Sequence, residues 1–518
     1  MGAQEQRWFA ALLTVTAVLA VVQLIWALLS VAVPHELEYG ESIIHDQAWR
    51  IVQGEPLYQD YSHAPFTVVI YTPLYYVAVA GLQAVFGPGF LPGRALSLTA
   101  SLVATASVFL MTARLAHARA PGLLAAFLFF SVGLGGGAAP LGALLGQLST
   151  ATAAQDPTPI WGALYKEDAL GVAFALSAIT LLARGGSTRT AAVAGVLAAF
   201  AFLTKQTLVA SSIAGCLWLL QINRRAALVF TAVDLLIVAA TALTVEFTTA
   251  AFVQNLLLAN LTPIRLSAFA YNAKIWAVFQ LGIAISAAIY VRTVARARLL
   301  RGPIKLVVIY WLATLVSVAG LVKVGSNYNY WIELAAPTAC LASLSVWNAA
   351  TAARSPSWRD VLPFAAVSAT VGLVGLLLGP VLVQASFSRA SHKDDGAEFA
   401  ALVSRVKSEP KEVLASPLDV VTLARRHVLF EYWTFAIWSR QGLWDSSPIT
   451  QRICNGDVGL LVLNFPVDQP APEFQDYSAW PTGVLDALRR AAVLDDYTAG
   501  RYVYRLDRPC SASAGFSR

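Results

Sequence analysis

The chain has 518 residues, 57% hydrophobic and 13% charged, whereas soluble proteins carry about 45–50% apolar and about 25% charged residues. That gap excludes an ordinary soluble enzyme. The net charge of +6 lies in short basic clusters between apolar runs, which marks membrane topology rather than a nucleic-acid surface, so no nucleic-acid partner is expected. The remaining charge is uneven: residues 389–518 hold 31 charged side chains, 15 basic and 16 acidic, and residues 1–388 hold only 35. The sequence thus divides into a membrane domain, 1–387, and a C-terminal soluble domain, 388–518. An excess of Arg over Lys, with abundant Ala and Leu, points to a GC-rich bacterial genome.

A helix needs roughly 20 apolar residues to cross a bilayer. In chain order, spans are expected near 8–33, 94–113, 122–140, 165–183, 189–204, 207–221, 226–246, 274–291, 304–321, 331–349 and 361–384. The first is too long for a signal-peptide core and reads as an uncleaved anchor. The stretch 66–86 contains a Thr72-Pro73 break and a Tyr-rich face, and reads as an external, interfacial segment. Treating it so places the clusters Arg114/Arg119, Arg184/Arg189, Arg224/Arg225, Arg292 to Lys305 and Arg354/Arg359 all on the cytoplasmic side. The expected fold is therefore a polytopic α-helical membrane protein of about 11 transmembrane helices with external juxtamembrane helices, plus a C-terminal α/β domain. The N-terminus would be cytoplasmic and the C-terminal domain extracytoplasmic, in a bacterial inner membrane.

This topology gathers 11 of the 14 acidic residues of the membrane portion on the external face. The first external loop, 34–65, carries Glu36, Glu38, Glu41, Asp46, Glu55 and Asp60, with Tyr58 and His63 nearby; Glu38 and Glu41 share a face if helical. Tyr71 lies in 66–86. The second external stretch, 141–168, ends in Lys166-Glu167-Asp168, where acidic residues also suit a helix N-terminus. Lys205 and Gln206 sit between two short apolar runs, where a lysine either snorkels or holds an anion. Arg265 lies in the stretch 247–273, and Asn327 and Tyr328 lie in LVKVGSNYNYWIE, where aromatic residues also suit an interface belt. Carboxylates can act as general bases, Lys and Arg can hold phosphate, and aromatic and amide groups suit a sugar. Together they fit glycosyl transfer from a phosphate-activated donor, although composition alone does not separate this from a transporter or a cell-wall polymerase.

The order of motifs resembles the GT-C polyprenyl-phosphate-dependent glycosyltransferases, which include protein O-mannosyltransferases and aminoarabinose transferases. The matching elements, over residues 8–335, are Glu38-Tyr39-Gly40-Glu41, GEPLYQDY, YTPLYY, GRALSLTASL, YKEDAL and FLTKQT. The resemblance implies an inverting transfer on the extracytoplasmic face from a polyprenyl-phosphate sugar to a hydroxyl of a glycan, lipid or protein acceptor. A first-loop carboxylate would be the base, and Lys205, Lys166, Arg94 or Arg265 would stabilise the leaving phosphate. Asp46, Tyr58, His63, Tyr71, Asp168, Gln206, Asn327 and Tyr328 are the candidate substrate contacts. The family places an Asp-Glu pair in the first loop, and counting back from Gly54 puts its two positions at Gly40 and Glu41, with Glu38 the nearest replacement for the first. The base is thus either Glu38 or Glu41. Some branches use a divalent metal such as Mg or Mn, but no ligand spacing demands one.

In the C-terminal portion, strand-like runs at 412–416, 427–431, 458–463 and 501–506 alternate with helix-like runs at 391–409, 447–454 and 482–492. Cys454 and Cys510 can pair if this portion is external. Trp433, Trp438, Trp444 and Trp480 fit either a sugar-binding surface or an ordinary core, and His427 fits a structural role better than a catalytic one. Three rival functions differ in pattern. An O-antigen ligase or polymerase tends to carry its long external loop late in the chain, and a transporter or flippase shows internal repeats and mid-membrane charge. The third rival is an inactive scaffold bearing an external binding domain.

Overall fold

The computed structural model describes residues 3–134, 161–351, 361–376, 395–474, 477–507 and 510. The span ends 135–140 and 377–384, most of the stretch 141–168, the Arg354/Arg359 cluster and the 387/388 boundary lie outside the described residues.

Among the described residues five helices are long and apolar enough to cross a membrane: Gln6–Val31, Phe90–Ala116, Arg224–Thr249, Leu266–Arg296 and Gly302–Val322. Six apolar helices are shorter: Leu74–Phe86, Arg119–Gly133, Asp168–Leu182, Thr188–Thr204, Ala210–Ile222 and Val361–Leu376. Tyr330–Thr351 is a further helix, buried along most of its length. Local sequence accounts for several starts. Ser187 caps Thr188–Thr204 by accepting from the Thr190 N–H, and Asn223 caps Arg224–Thr249 by accepting from the Ala226 N–H. Packing inside the bundle uses small residues, as expected where lipid gives no hydrophobic drive between helices. Ala191, Ala194, Ala198 and Ala201 are fully buried along one face of Thr188–Thr204. On that face a Cβ added to Gly195 would lie 2.6 Å from the Phe230 carbonyl oxygen, so the backbones touch where no side chain fits.

The helices alternate between two ends. At one end Arg114 donates to the carbonyls of Ala183 and Arg184, and Asn223 to that of Gly186. The opposite end carries the loops. There Glu41–Val52 is a short helix with Glu41 in its first turn and Arg50 in its last, each complementing the helix dipole. Leu74–Phe86 lies against it through a bond from Gln83 to the His45 carbonyl.

The C-terminal portion contains a four-stranded sheet of order β1-β2-β6-β5, with β1 Glu412–Ser416, β2 Val458–Leu463, β5 Ala492–Thr498 and β6 Arg501–Leu506, and a two-stranded sheet of β3 Glu473–Phe474 and β4 Tyr477–Ser478. β1 and β2 are parallel, and the other pairs are antiparallel. Every residue of β2 is buried, as a strand covered on both faces requires. Cys454 and Cys510 form a disulfide. The sequence reading fails at 427–431. This run is no strand of the sheet; Phe430 pairs instead with Phe66, the residue directly after the first loop, the Phe66 N–H donating to Leu429 O and the Glu431 N–H to Phe66 O. It also misses β5, because Ala492–Thr498 continues straight out of the amphipathic helix Thr482–Ala491 with no turn between them. The aromatic residues are mostly core: Trp438 and Trp480 are buried, and Tyr432 stacks on Trp480. That core is shared with the membrane portion, for Ile43, Phe66, Val68 and Ala259 pack in the same cluster as Leu414, Phe435 and Trp480.

Candidate functional site

The first-loop carboxylates have different surroundings. Glu41 is fully buried and accepts four hydrogen bonds: from Arg94 Nε at 2.9 Å and Nη2 at 2.6 Å, from the Leu37 N–H at 2.7 Å and from the Tyr165 N–H at 2.7 Å. The Arg94 guanidinium, also fully buried, spends its remaining N–H groups on the carbonyls of Ser30, Val33 and His35. Arg94 has five donors in a fixed fork, and all five are satisfied by protein. Neither partner has a free group to offer a substrate.

Glu38 stands three residues away and meets a different partner. Its carboxylate pairs with Lys166 while keeping 23% of its side-chain exposure. Burial, countered by Lys166 and reinforced by Glu41 and Asp168, pushes its pKa up to about 7. Between them Gly40 adopts the left-handed conformation, φ +96°, and a Cβ there would point at Lys166 Nζ, 3.5 Å away. A side chain at 40 would be strained and aimed at Lys166; Glu38 brings its carboxylate to that same lysine from two residues upstream.

Lys166 begins a second cluster. Its ammonium lies over the Trp161 ring, 4.8 Å from the centroid. The next two residues, Glu167 and Asp168, open the helix Asp168–Leu182 and both pair with Lys205, at 2.9 and 2.5 Å. Lys205 comes directly after the last turn of Thr188–Thr204, which aims it across the bundle end, and it sits over the rings of Tyr71 and Tyr330 at 4.7 and 5.5 Å. The two carboxylates and Tyr71 hold the Lys205 pKa well above the ordinary lysine value, overcoming the opposing effect of burial. Asp168 Oδ2 also accepts from Trp161 Nε1 at 2.9 Å, and Asn329 Nδ2 donates to Asp168 Oδ1 at 3.0 Å. Three buried acceptors here have no hydrogen-bond partner: Glu167 Oε2, Asn329 Oδ1 and Gln206 Oε1. Asp168, Lys205, Asn329, Tyr330 and Glu333 line a small cavity. Unlike the Glu41–Arg94 pair, this cluster has acceptors left over and space beside it.

The other candidate residues lie elsewhere. Asp46 binds Arg50 at 2.7 Å and His427 Nδ1 at 3.1 Å. The Asp46–His427 bond fastens the C-terminal portion to the loop and, with the charge of Asp46 and Glu55, holds the His427 pKa above its usual value. Tyr58 donates to the Tyr71 carbonyl, and Gln206 Nε2 to the Ile70 carbonyl. His63 is largely exposed, with only its neighbours Ser62 and Asp60. Asn327 accepts from the Tyr328 N–H, and buried Tyr328 donates to the Val132 carbonyl. Arg265 lies over the Tyr477 ring at 5.1 Å. Sequence reasoning did not single out Glu167, Asn329, Tyr330 or Trp161 as site residues. Glu167 lay in plain view within YKEDAL and Asn329 within LVKVGSNYNYWIE, whereas Tyr330 and Trp161 are recognisable only once Asp168 and Lys205 are placed.

Among the described residues no group of three or more His, Cys, Asp or Glu side chains is arranged to hold a metal ion. The place between Glu167 and Asp168 that a cation would take is filled by the Lys205 ammonium. Among the described residues, this cluster is therefore filled by a lysine where a divalent metal would sit.

No protein-family model matches the chain, and no curated protein sequence matches it. Solved structures do. ArnT from Cupriavidus metallidurans in its apo state superposes with a TM-score of 0.58 at 12% identity, covering 95% of this chain and 98% of its own. The same protein bound to undecaprenyl phosphate gives 0.58 at 13% identity, covering 97% and 99%. An oligosaccharyltransferase from Archaeoglobus fulgidus, solved with Zn and sulfate, gives 0.47 at 12% identity over 95% of this chain and 73% of its own. The likeness to ArnT establishes the fold: this chain has the GT-C architecture across nearly its whole length.

Proposed function

We propose that the protein is a membrane glycosyltransferase that moves a sugar from a polyprenyl-phosphate donor to a hydroxyl of an envelope acceptor on the extracytoplasmic face. The observation that carries this reading is the Glu38–Lys166 pair beside the Lys205 cluster, set at the loop end of an ArnT-like helical bundle. ArnT, over the same fold, has been captured with undecaprenyl phosphate.

In this reading Glu38 is the catalytic base. It is partly exposed, has one cationic partner, and reaches the lysine that a side chain at position 40 would face. Ionised Glu38 takes the acceptor's proton as the hydroxyl oxygen attacks the anomeric carbon. The bond from that carbon to the phosphate oxygen breaks, the leaving polyprenyl phosphate keeps the electron pair, and the configuration inverts. Lys166 and Lys205 meet the charge that grows on the phosphate oxygens. Asp168 and Asn329 hold Lys205 in place, and Tyr71 and Tyr330 offer aromatic faces to the sugar. Glu41 and Arg94 shape the loop and touch no substrate.

The test uses the purified full-length protein with defined polyprenyl-phosphate hexoses and pentoses and an envelope acceptor extract. Release of polyprenyl phosphate matched by sugar on the acceptor is expected for at least one donor. If every lipid-linked donor is left intact while solute crosses reconstituted vesicles, the protein is a transporter and the reading fails.

A further inference from the structure

Between the first loop and the C-terminal portion lies a buried carboxylate that has no part in the transfer chemistry. Glu431 is 3% exposed. Its Oε1 accepts from Tyr39 Oη at 2.5 Å, from Thr434 Oγ1 at 2.6 Å and from the Thr434 N–H at 3.2 Å, and the last bond caps the helix Tyr432–Arg440. Its Oε2 is buried with no hydrogen-bond partner. Tyr39 is the residue between Glu38 and Gly40. The Tyr39 ring also packs against Tyr432 and Trp433, with centroids 5.4 and 6.4 Å away.

The helix that Glu431 caps reaches a second loop. Ile437 packs with Val324 and Tyr477, and Gly325 approaches the Trp433 indole nitrogen. The loop 323–329 ends in Asn329, which donates to Asp168. One C-terminal helix thus touches both loops that carry the proposed site: the loop of Glu38 through Tyr39, and the loop of Asn329 through Val324 and Gly325. The Phe66–Phe430 pairing fixes the chain just before Glu431, so the carboxylate enters the interface in a set position.

We propose that Glu431 is a positioning residue, which through its hydrogen bond from Tyr39 fixes the backbone at 38–40 and so holds Glu38 against Lys166. This rests on the reading of Glu38 as the base. A hydrogen bond between buried groups is costly to leave unmade, and Gly40 beside it is the loop's most pliable point. Without the bond, Glu38 samples positions from which it does not reach the acceptor hydroxyl.

Three variants of the full-length protein separate this role from mere folding. Tyr39→Phe removes one hydroxyl and leaves the helix cap intact. Glu431→Gln keeps an acceptor for both Tyr39 and Thr434, and Glu431→Leu keeps neither. Tyr39→Phe and Glu431→Leu are expected to lower kcat about ten- to a hundredfold, the cost of a misplaced catalytic group, with the donor KM unchanged, while Glu431→Gln stays within about threefold of wild type because it keeps the acceptor. Hydrogen exchange over residues 36–46 gives a readout that needs no turnover: Tyr39→Phe speeds exchange there and Glu431→Gln does not. Wild-type exchange in Tyr39→Phe, or a fall in activity confined to KM, overturns the proposal. If the wild-type protein consumes no lipid-linked donor but exchange in 36–46 rises in Tyr39→Phe alone of those two, the latch stands and the glycosyltransferase reading is what fails.

Discussion

Two ion pairs start three residues apart in this protein, one sealed and one partly exposed, and they also differ in how fully their groups are matched. In the Glu41–Arg94 pair every donor and acceptor is matched, with four donors on the carboxylate and five acceptors on the guanidinium. In the Glu38–Lys166 and Glu167–Asp168–Lys205 cluster the cations are held, but buried acceptors remain unmatched and a cavity opens beside them. Buried polar groups left without partners are costly, and of the three unmatched acceptors here Asn329 Oδ1 belongs to a residue that lines the cavity. A saturated pair can only be a joint, whereas the unsaturated cluster is where the proposed reaction is set.

The largest expected effect separates Glu38 from Glu41. Glu38→Gln keeps the shape and a hydrogen bond to Lys166 but cannot accept a proton as a base. Its kcat is expected to fall roughly 10²–10⁴-fold, with the melting temperature of the purified protein close to wild type. The pH profile sharpens the point. With the Glu38 pKa at about 7, the base form grows as pH rises, so wild-type kcat/KM should climb through pH 7 and level off above it. Full activity in Glu38→Gln, or a wild-type profile that is flat between pH 6 and about 8, breaks the comparison at this end.

Next in size is the removal of Arg94. Arg94→Met leaves the Glu41 carboxylate buried without its cation, which should destabilise the protein by about 3–5 kcal/mol. Thermal unfolding and the specific activity of the folded fraction are the measurements. The expected pattern is a lower melting temperature with the donor KM retained by whatever remains folded. A normal melting temperature with a sharply raised donor KM would make Arg94 a phosphate ligand and erase the distinction between the two pairs.

Sequence patterning leads a long way toward this cluster and not into it. Lys166, Asp168 and Lys205 are visible because each sits where an apolar run begins or ends, and charge at a span boundary stands out against an apolar background. What does not show is which charges cancel. Glu41 and Arg94 are 53 positions apart, and the donors that saturate Glu41 include a backbone N–H of residue 165, which no side-chain pattern marks. The run 427–431 reads as a strand because it is short and apolar, yet its partner is a single residue, Phe66, directly after the first loop. Periodicity reports that a face is buried and is silent on what buries it. For the same reason a charge-density boundary near 387 does not foretell a core in which Ile43 and Trp480 belong to one cluster.

The smallest effect concerns a carboxyl intermediate between the two pairs. Glu36 is 8% exposed, and its Oε2 accepts from Ser42 Oγ at 2.6 Å and the Leu418 N–H at 3.2 Å. Asp419, whose own charge is met by Arg501 at 2.6 and 2.8 Å, stands close by and accepts from the Glu36 N–H. Burial first, then Asp419, with smaller contributions from Glu41 and Glu38, pushes the Glu36 pKa up to about 8 from an ordinary 4.5. The folded state therefore prefers the protonated form. The stabilisation that Glu36 contributes is complete below its ordinary pKa and is lost as pH rises through about 8. Glu36→Gln cannot ionise, and its amide oxygen can take the place of Oε2 while its NH₂ faces Asp419. The variant should match wild type in melting temperature near pH 4.5 and exceed it progressively toward pH 8. A difference that is constant across that range, or that favours wild type at high pH, would show that Glu36 is compensated after all and belongs with Glu41 among the saturated joints.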